Sequence, residues 1–258
     1  MRRYSSVGLL GFVFSLAAFG AEPDKQIQFL RFKDTDRIEL EESQGLIEVN
    51  GAFTVEAWVR WEIDSTEKPQ YLMGDEAWPE MSRELRAKRN CGWVLRTTGL
   101  EDGKKRSLDF TIGVSFNGKS EWLRVLSPPQ RCAEKAWQHV AICKSTERIE
   151  LFWNGKLVGK KACRGLKFHE APTNLYLGVR DHAFADRSFG GDFRAFRISS
   201  RVRYHNDFKP EKSFEKDKTT TLLLDFAAAE KDKIPDISGN NHHGRISGAM
   251  AKSEETSK

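Results

Sequence analysis

One segment, residues 137–178, limits the fold more than any other part of the chain. It contains two short apolar-rich runs, WQHVAIC and RIELFW, which a polar turn at residues 145–147 separates. The dipeptide Asn154-Gly155 follows, and it is a strong hairpin signal because a type I′ turn needs positive φ at both central residues. No helical period of comparable strength occurs in the body of the chain. The segment therefore predicts an antiparallel β protein.

Residues 1–20 have the features of a cleaved secretory signal peptide. Arg2 and Arg3 precede an apolar core at residues 7–19, which ends in small residues suited to signal peptidase. This core is too short to span a bilayer, and no second hydrophobic stretch follows. We therefore predict a secreted, periplasmic or cell-surface protein with no integral membrane segment after cleavage; a retained anchor is the alternative.

The composition of the remaining chain favours one large β-sandwich. Residues 53–63 begin with strict alternation of apolar side chains, and a second Asn-Gly turn, Asn117-Gly118, joins two further strand-like runs. Short strands at regular spacing are typical of a sandwich or barrel, and domains of this kind often have about 200–250 residues. Loss of the two N-terminal arginines lowers the net charge from +5 to +3, which is too weak to favour a nucleic-acid partner.

The order of several motifs resembles a known family. FTVEAWVRW, then WQHVAICKSTERIELFWNGKLVG, then LYLGVRDHAFADRSFGGDFRAFRIS are similar to the laminin-G-like jelly roll of the concanavalin A-like lectin and glucanase superfamily, in its bacterial secreted form. The resemblance covers about residues 28–249. It implies an all-β fold, a two-sheet antiparallel jelly-roll β-sandwich at residues 26–249 as a single domain. The polar residues 250–258 are predicted to form a disordered tail.

The same resemblance implies a candidate calcium site, since such jelly rolls often hold one Ca²⁺ near the rim. Acidic side chains in turns supply the hard oxygen ligands that this ion prefers. The candidate ligands are Asp34, Asp36, Asp181, Asp186 and Asp192. Relatives commonly read I-D-E-V-R-I where this chain has FRAFRI, so Arg194 replaces the first acid and the site is lost or altered if that acid is a ligand. Solvated turn aspartates are the alternative.

Four cysteines in a secreted chain raise the question of disulfides, which persist outside the cytoplasm. Three pairings are possible. We favour Cys91 with Cys132, because both lie outside the hairpin segment. Cys143 lies inside an apolar strand, where a buried thiol is an equally good interpretation.

A hydrolase remains an alternative function. Glu62 and Glu67 fit the pattern E-[IL]-D-x-x-E, which resembles the catalytic motif of superfamily glucanases. Retaining glycosidases need two carboxyl groups about 5–5.5 Å apart on a rigid frame. Here the second acid lies in a stretch of turn composition that contains a proline, so the match is better explained by chance.

The sequence favours a non-catalytic recognition module that binds a glycan or an extracellular or envelope protein. Sugars stack on exposed aromatic rings, and Trp78 lies in a charged insertion at residues 74–90 where the local pattern does not explain a tryptophan as core. We select Trp78 with Asp75, and Trp122, as candidate ligand-binding residues. Alternatively, Trp78 anchors its own loop to the sandwich. The alternative for the whole chain is a purely structural scaffolding domain.

Overall fold

A computed structural model describes residues 27–62, 68–76, 90–99, 105–131, 136–179, 187–248 and 251–255. All of their regular structure is β-strand apart from a short 3-10 helix at Phe226–Ala228. The strands are β1 Ile27–Phe32, β2 Arg37–Leu40, β3 Phe53–Trp61, β4 Tyr71–Gly74, β5 Trp93–Thr97, β6 Lys105–Arg106, β7 Leu108–Phe116, β8 Lys119–Leu126, β9 Gln130–Arg131, β10 Gln138–Lys144, β11 Arg148–Trp153, β12 Lys156–Ala162, β13 Lys167–Phe168, β14 Leu175–Leu177, β15 Gly191–Ser199, β16 Thr220–Asp225, β17 Lys233–Ile234, β18 Gly244–Ser247 and β19 Ala251–Glu255.

These strands form two antiparallel sheets. The first sheet has the order β12-β11-β10-β3-β15-β1-β19, with β16 also paired to β15. The second sheet has the order β13-β7-β5-β4-β14-β2-β18-β17, with β8 also paired to β7. Strands β6 and β9 make a separate two-stranded ribbon. The predicted all-β, two-sheet antiparallel sandwich is confirmed. Within the described ranges, no helix is long and apolar enough to cross a membrane.

The core lies between the sheets, and β3 shows how the sequence builds it. Phe53, Val55, Ala57, Val59 and Trp61 were predicted to share one face, and each is at most 2% exposed. They belong to one large apolar cluster with inward side chains of the second sheet. Alternation with period two places such residues on one face of a strand, so the apolar pattern of β3 predicted its orientation.

Both Asn-Gly turns have the predicted backbone. Asn154 and Gly155, between β11 and β12, have φ of 50° and 74°. Asn117 and Gly118, between β7 and β8, have φ of 50° and 75°. Positive φ at both central residues is the signature of the type I′ turn, whose twist matches that of the flanking strands.

The outer face of the first sheet is closed by a long connection, residues 200–219, which we call the strap. The strap has no regular secondary structure, and it lies between β15 and β16 in the chain. Its aromatic residues Tyr204 and Phe208 pack on Phe152 and Cys143 of the sheet. Farther along the strap, Phe214 packs on Leu223. The two apolar faces of β10 therefore have two different partners, the core and the strap.

Two tryptophans that the pattern assigned to strands are not in the core. Trp58 and Trp137 are half-buried on the outer face of the first sheet, and the Arg194 guanidinium lies over both rings, 4.6 and 5.1 Å from their centroids. Arg194 also donates a hydrogen bond to the carbonyl of Lys212 in the strap. The arginine that replaces the family's acid therefore has a packing role here.

The described part of the chain end forms a strand of the first sheet. Residues 251–255 form β19, which pairs with β1 from Ile27 to Arg31. Strand β1 pairs with β15 only from Leu30 to Phe32, and β19 continues along its opposite edge. A free edge offers backbone hydrogen bonds to any extended segment, whatever its side chains. The polar composition of residues 250–258 carried no signal of this pairing.

Candidate functional site

The outer face of the second sheet carries a cleft of about 310 Å³. Its described lining is mostly polar and comes from strands β4, β5, β7 and β8 and from the ends of nearby loops. The lining residues are Pro69, Gln70, Tyr71, Glu76, Arg96, Thr97, Thr98, Gly99, Asp109, Arg124, Val179 and Arg187. The lining thus combines an aromatic ring with charged and hydroxyl groups on a rigid sheet, and such polar groups can orient a small ligand.

The floor of the cleft is an ion-pair cluster of three strand residues. Asp109 on β7 lies between Arg96 on β5 and Arg124 on β8. The Arg96 Nε donates to Asp109 Oδ2 at 3.0 Å. Arg124 donates from Nε to Oδ1 at 2.7 Å and from a terminal nitrogen to Oδ2 at 2.9 Å. Hydrogen bonding to Asp109 raises the pKa of Arg124, so this guanidinium stays charged.

Strand register explains why these three side chains meet. Arg96 lies directly opposite Asp109, and Arg124 lies opposite Thr111, the next residue of β7 on the same face. Their neighbours in sequence, such as Leu95 and Phe110, point into the core. The Asp109 side chain is 4% exposed, whereas those of Arg96 and Arg124 are 29% and 52% exposed. The buried carboxylate thus fixes two guanidinium groups at the surface.

A buried arginine holds the adjoining rim. Arg106 of β6 is 2% exposed. One of its terminal nitrogens donates to the carbonyls of Lys68 and Thr98, both at 2.9 Å. The Thr97 hydroxyl in turn accepts a hydrogen bond from the Gln70 backbone N–H. This network fixes the backbone around the cleft, which is what a preformed site requires.

The three predicted ligand-binding residues have different positions. Trp122 lies on β8 two residues before Arg124, hence on the same face, and it is half-buried. Asp75 directly precedes the cleft residue Glu76, but its carboxylate accepts a hydrogen bond from the Trp93 backbone N–H at 2.8 Å. Trp78 falls outside the described residues. Trp122 therefore shares the face that carries the cleft but is not among its described lining residues, and Asp75 contacts the backbone of β5.

Asp75 should make stability depend on pH. Burial raises its pKa to about 7, with further contributions from Glu76 and Glu170. An acid whose pKa is raised in the folded state lowers the free energy of unfolding as pH rises from its unfolded-state pKa of 3.8 to its folded-state pKa of about 7. We expect Asp75→Asn, which keeps the oxygen that accepts from Trp93, to increase the free energy of unfolding. The full shift corresponds to about 4 kcal/mol, and partial exposure reduces the expected gain to about 1–2 kcal/mol above pH 7.

Urea unfolding from pH 4 to pH 8 measures this effect. The gain should be absent near pH 4, grow up to pH 7 and stay constant above it. Asp34→Asn is the matched control, because Asp34 is exposed in the turn between β1 and β2 and its φ of 49° is tolerated by asparagine. Equal pH profiles for wild type and Asp75→Asn would contradict the prediction.

The described candidate calcium ligands do not form one cluster. Asp36 is buried, and its carboxylate accepts a hydrogen bond from the Lys33 backbone N–H. Asp192 lies between Arg31 and Arg60, each of which donates from Nε at 2.8 Å. Asp181 and Asp186 fall in a segment for which no structure is described. Among the residues described, no group of three or more His, Cys, Asp or Glu side chains could hold a metal ion; calcium remains a prediction from sequence.

The structure describes only the first glutamate of the possible hydrolase motif. Glu62 is exposed just after β3, and its backbone N–H donates to the carbonyl of Gly190. Glu67 is not among the described residues, so the separation of the two carboxyl groups stays untested. The carboxylate in the cleft, Asp109, is poorly suited to acid–base work because both of its oxygens already accept hydrogen bonds from arginines.

Three cysteines are described, and no disulfide joins any two of them. Cys91, Cys143 and Cys163 are all buried. Cys143 lies 3.4 Å from the Thr54 hydroxyl, and burial raises the pKa of its thiol to about 11. This fits the interpretation of Cys143 as a buried, unreactive thiol. Cys132, the predicted partner of Cys91, lies outside the described part of the chain, so that pairing stays a prediction.

The chain resembles several solved structures. A protein proposed to bind carbohydrate, from Bacteroides ovatus ATCC 8483, superimposes with a TM-score of 0.62 at 16% identity, over 92% of this chain and 61% of that one. The chain thus spans less than two thirds of that protein. The SAP-like pentraxin of Limulus polyphemus gives a TM-score of 0.48 at 13% identity, over 71% of this chain and 80% of that one. Domains LG4-5 of the mouse laminin α1 chain give 0.45 at 19% identity, over 71% and 47%.

The sequence itself matches a family. No curated protein matches the chain. The family model described as the concanavalin A-like lectin/glucanases superfamily matches residues 32–207, which include both Asn-Gly turns and most strands of the two sheets. The fold agrees with this match, and the chain therefore belongs to the concanavalin A-like lectin/glucanases superfamily.

Proposed function

We propose that the protein is a secreted, non-catalytic recognition module that binds a glycan in the cleft on the outer face of its second sheet. The observation that carries the proposal is the fixed floor of this cleft, where Asp109 holds two partly exposed arginines on three neighbouring strands. Polar groups held on rigid strands lose little conformational freedom when they bind a ligand.

The contrast between the two sheets supports this location. The strap covers the outer face of the first sheet, where Ala141, Cys143 and Phe152 are at most 1% exposed. In the described residues of the second sheet, the outer face instead carries the cleft with donors, acceptors and the Tyr71 ring. Sugars present hydroxyl groups and C–H faces, which match such a lining. The resemblance to a protein proposed to bind carbohydrate agrees with this choice of ligand.

We expect Arg124→Ala to weaken glycan binding by about 10–100-fold, because a hydrogen bond to a charged group contributes about 1.5–3 kcal/mol. The side chain is 52% exposed, so the fold should tolerate its removal. A glycan array with the purified chain identifies a ligand, and calorimetric titration of that ligand measures the loss. The matched control is Arg164→Ala, which removes an exposed arginine paired with Glu147, outside the cleft lining.

Three results would contradict the proposal. Saturable binding that Arg124→Ala and Arg164→Ala leave unchanged would exclude the cleft. A blank array would favour a protein partner instead, which is the other class of ligand that the sequence allows. Release of reducing sugar from the bound glycan would establish the hydrolase alternative.

A further inference from the structure

We propose that the cleft selects sugars with an anionic substituent, a carboxylate or a sulfate ester, and that Arg96 is the specificity-determining residue. This inference rests on the proposed glycan-binding function and narrows it to one substrate class. The first observation is the charge balance of the three residues that form the cleft floor. Arg96 and Arg124 carry two positive charges, and the single carboxylate of Asp109 neutralises one of them.

The other charged residues of the cleft do not change this net positive charge. Arg187 and Glu76 are the other charged residues in the described lining, and their charges cancel. The described cleft therefore has a net charge of about +1, and it is partly shielded from water by its walls. A cleft of this kind favours a ligand that brings one negative charge.

The donors of Arg96 are arranged for an anion. Its Nε donates to Asp109, and among the described residues its two terminal nitrogens make no hydrogen bond. Arg124 uses Nε and one terminal nitrogen for Asp109. The terminal nitrogens of a guanidinium form a planar fork that matches the two oxygens of a carboxylate or sulfate. Asp109 thus orients the Arg96 group and leaves its fork for the ligand.

A second arginine pair in the same protein shows what a purely structural arrangement looks like. Asp192 also lies between two arginines, Arg31 and Arg60. There the Arg60 guanidinium lies over the rings of Phe29 and Trp137, 4.5 and 4.7 Å from their centroids, and its side chain is only 10% exposed.

The floor of the cleft is built differently. No described aromatic ring covers the guanidinium of Arg96 or Arg124, and both side chains are far more exposed than Arg60. Packing therefore accounts for Arg60, and Arg31, although 39% exposed, also lies 5.7 Å from the centroid of the Phe29 ring. No such ring contact accounts for the two arginines in the cleft.

The test compares oligosaccharides that differ only in charge. Calorimetry measures binding of oligogalacturonate against its methyl ester, and of a κ-carrageenan oligosaccharide against its desulfated form. We expect at least one acidic member to bind at least 10-fold more tightly than its neutral partner, with an advantage that falls as salt rises. The carboxylate and sulfate arms identify which anion is used.

Arg96→Gln should reduce the ratio of acidic to neutral affinity to about 1, because that preference depends on a contact that only the anion makes. Asp109 keeps Arg124 as a partner in this variant, and circular dichroism checks the fold. Arg96→Lys keeps the positive charge but lacks the planar fork of donors, so it should retain only part of the preference for the acidic sugar. If Arg96→Gln does not fold, the wild-type comparison of acidic with neutral sugars still decides anion selection, and Arg96→Lys decides the role of Arg96.

The inference and the proposed function fail in different ways. Equal affinity for acidic and neutral partners, or an array on which only neutral glycans bind, would overturn anion selection and leave glycan binding intact. An acidic preference that survives Arg96→Gln would overturn the role of Arg96. Absence of binding to every acidic and neutral glycan would overturn both.

Discussion

Replacing Glu56 by alanine is expected to lower the free energy of unfolding by about 3–5 kcal/mol, since it leaves buried partners of an ion pair without their carboxylate. Glu56 is fully buried on the outer face of β3, beneath the strap. Its Oε1 accepts from Arg197 Nε at 2.8 Å, and its Oε2 accepts from the Tyr204 hydroxyl at 2.9 Å. His139 Nε2 lies 2.9 Å from the same Oε2. Urea unfolding at pH 7 measures the loss.

The matched control is Glu147→Ala. Glu147 also pairs with an arginine, Arg164, but both side chains are largely exposed. Exposed pairs contribute about 0–1 kcal/mol, so this variant should unfold almost as the wild type does. Similar destabilisation by Glu56→Ala and Glu147→Ala would show that the buried network does not stabilise the fold.

The network should also hold the strap on the sheet. Arg197, which is 1% exposed, donates to the carbonyl of Glu215 at 3.0 Å and pairs with Glu211 at 3.2 Å. Tyr204 belongs to the strap as well. Loss of Glu56 removes the charge that positions Arg197 and Tyr204 together. Hydrogen exchange in Glu56→Ala should therefore increase first in residues 200–219.

The same carboxylate predicts acid sensitivity. Burial alone would raise the pKa of Glu56, but hydrogen bonding and charge from His139 and Arg197 hold it below its ordinary value of 4.5. An acid with a depressed folded-state pKa contributes stability that is complete above its unfolded pKa and is lost as pH falls through the folded value. The difference between wild type and Glu56→Gln should thus be constant above about pH 5 and shrink in stronger acid.

Local sequence patterns were enough to predict the fold class. The alternation in β3 and the two Asn-Gly dipeptides predicted strand faces and hairpins, because side-chain direction and turn type depend on residues close in sequence. The sequence also showed that both faces of β10 are apolar. It did not show that the second face is covered by Tyr204 and Phe208, about 60 residues later, since that contact depends on tertiary packing.

The candidate site was less accessible to sequence reasoning. Arg96, Asp109 and Arg124 come from three strands, and each looks like an ordinary solvent-facing residue in its own strand. Only the register of β5, β7 and β8 brings them together. A signal did exist, because an aspartate between the apolar residues Leu108 and Phe110 must face outward from a buried strand. Its partners could not be named before the strand order was known.

The selection of Trp122 shows that position next to a turn can indicate an outward-facing aromatic residue. An aromatic residue just after a hairpin turn suggested exposure, and the structure has it half-buried on the face that carries the cleft. Asp75 was selected for its position in a charged insertion. Its hydrogen bond to the backbone of Trp93 could not be inferred from that composition, because it depends on how β4 pairs with β5.

Replacing Gly155 by alanine is expected to lower the free energy of unfolding by about 2–5 kcal/mol, the sum of two costs. Gly155 has φ of 74°, where a side chain costs about 1–2 kcal/mol. An added Cβ would also collide with the carbonyl oxygen of Phe208 and lie 2.9 Å from Pro210 Cδ in the strap. Relieving that contact means displacing the strap, and overpacking of this kind costs about 1–3 kcal/mol. Chemical unfolding measures the total.

Gly118→Ala separates these two costs, because the second Asn-Gly turn has nearly the same backbone. Gly118 has φ of 75°, and no atom lies within 4 Å of an added Cβ. This variant should therefore lose only the backbone part, about 1–2 kcal/mol. Gly155→Ala should in addition weaken the hydrogen bond from the Phe208 N–H to the carbonyl of Gly155, which is 2.8 Å long, and increase hydrogen exchange at Phe208. Equal losses for the two variants would mean that the Gly155 turn does not anchor the strap, which would then be held by its aromatic packing and by the Glu56 network.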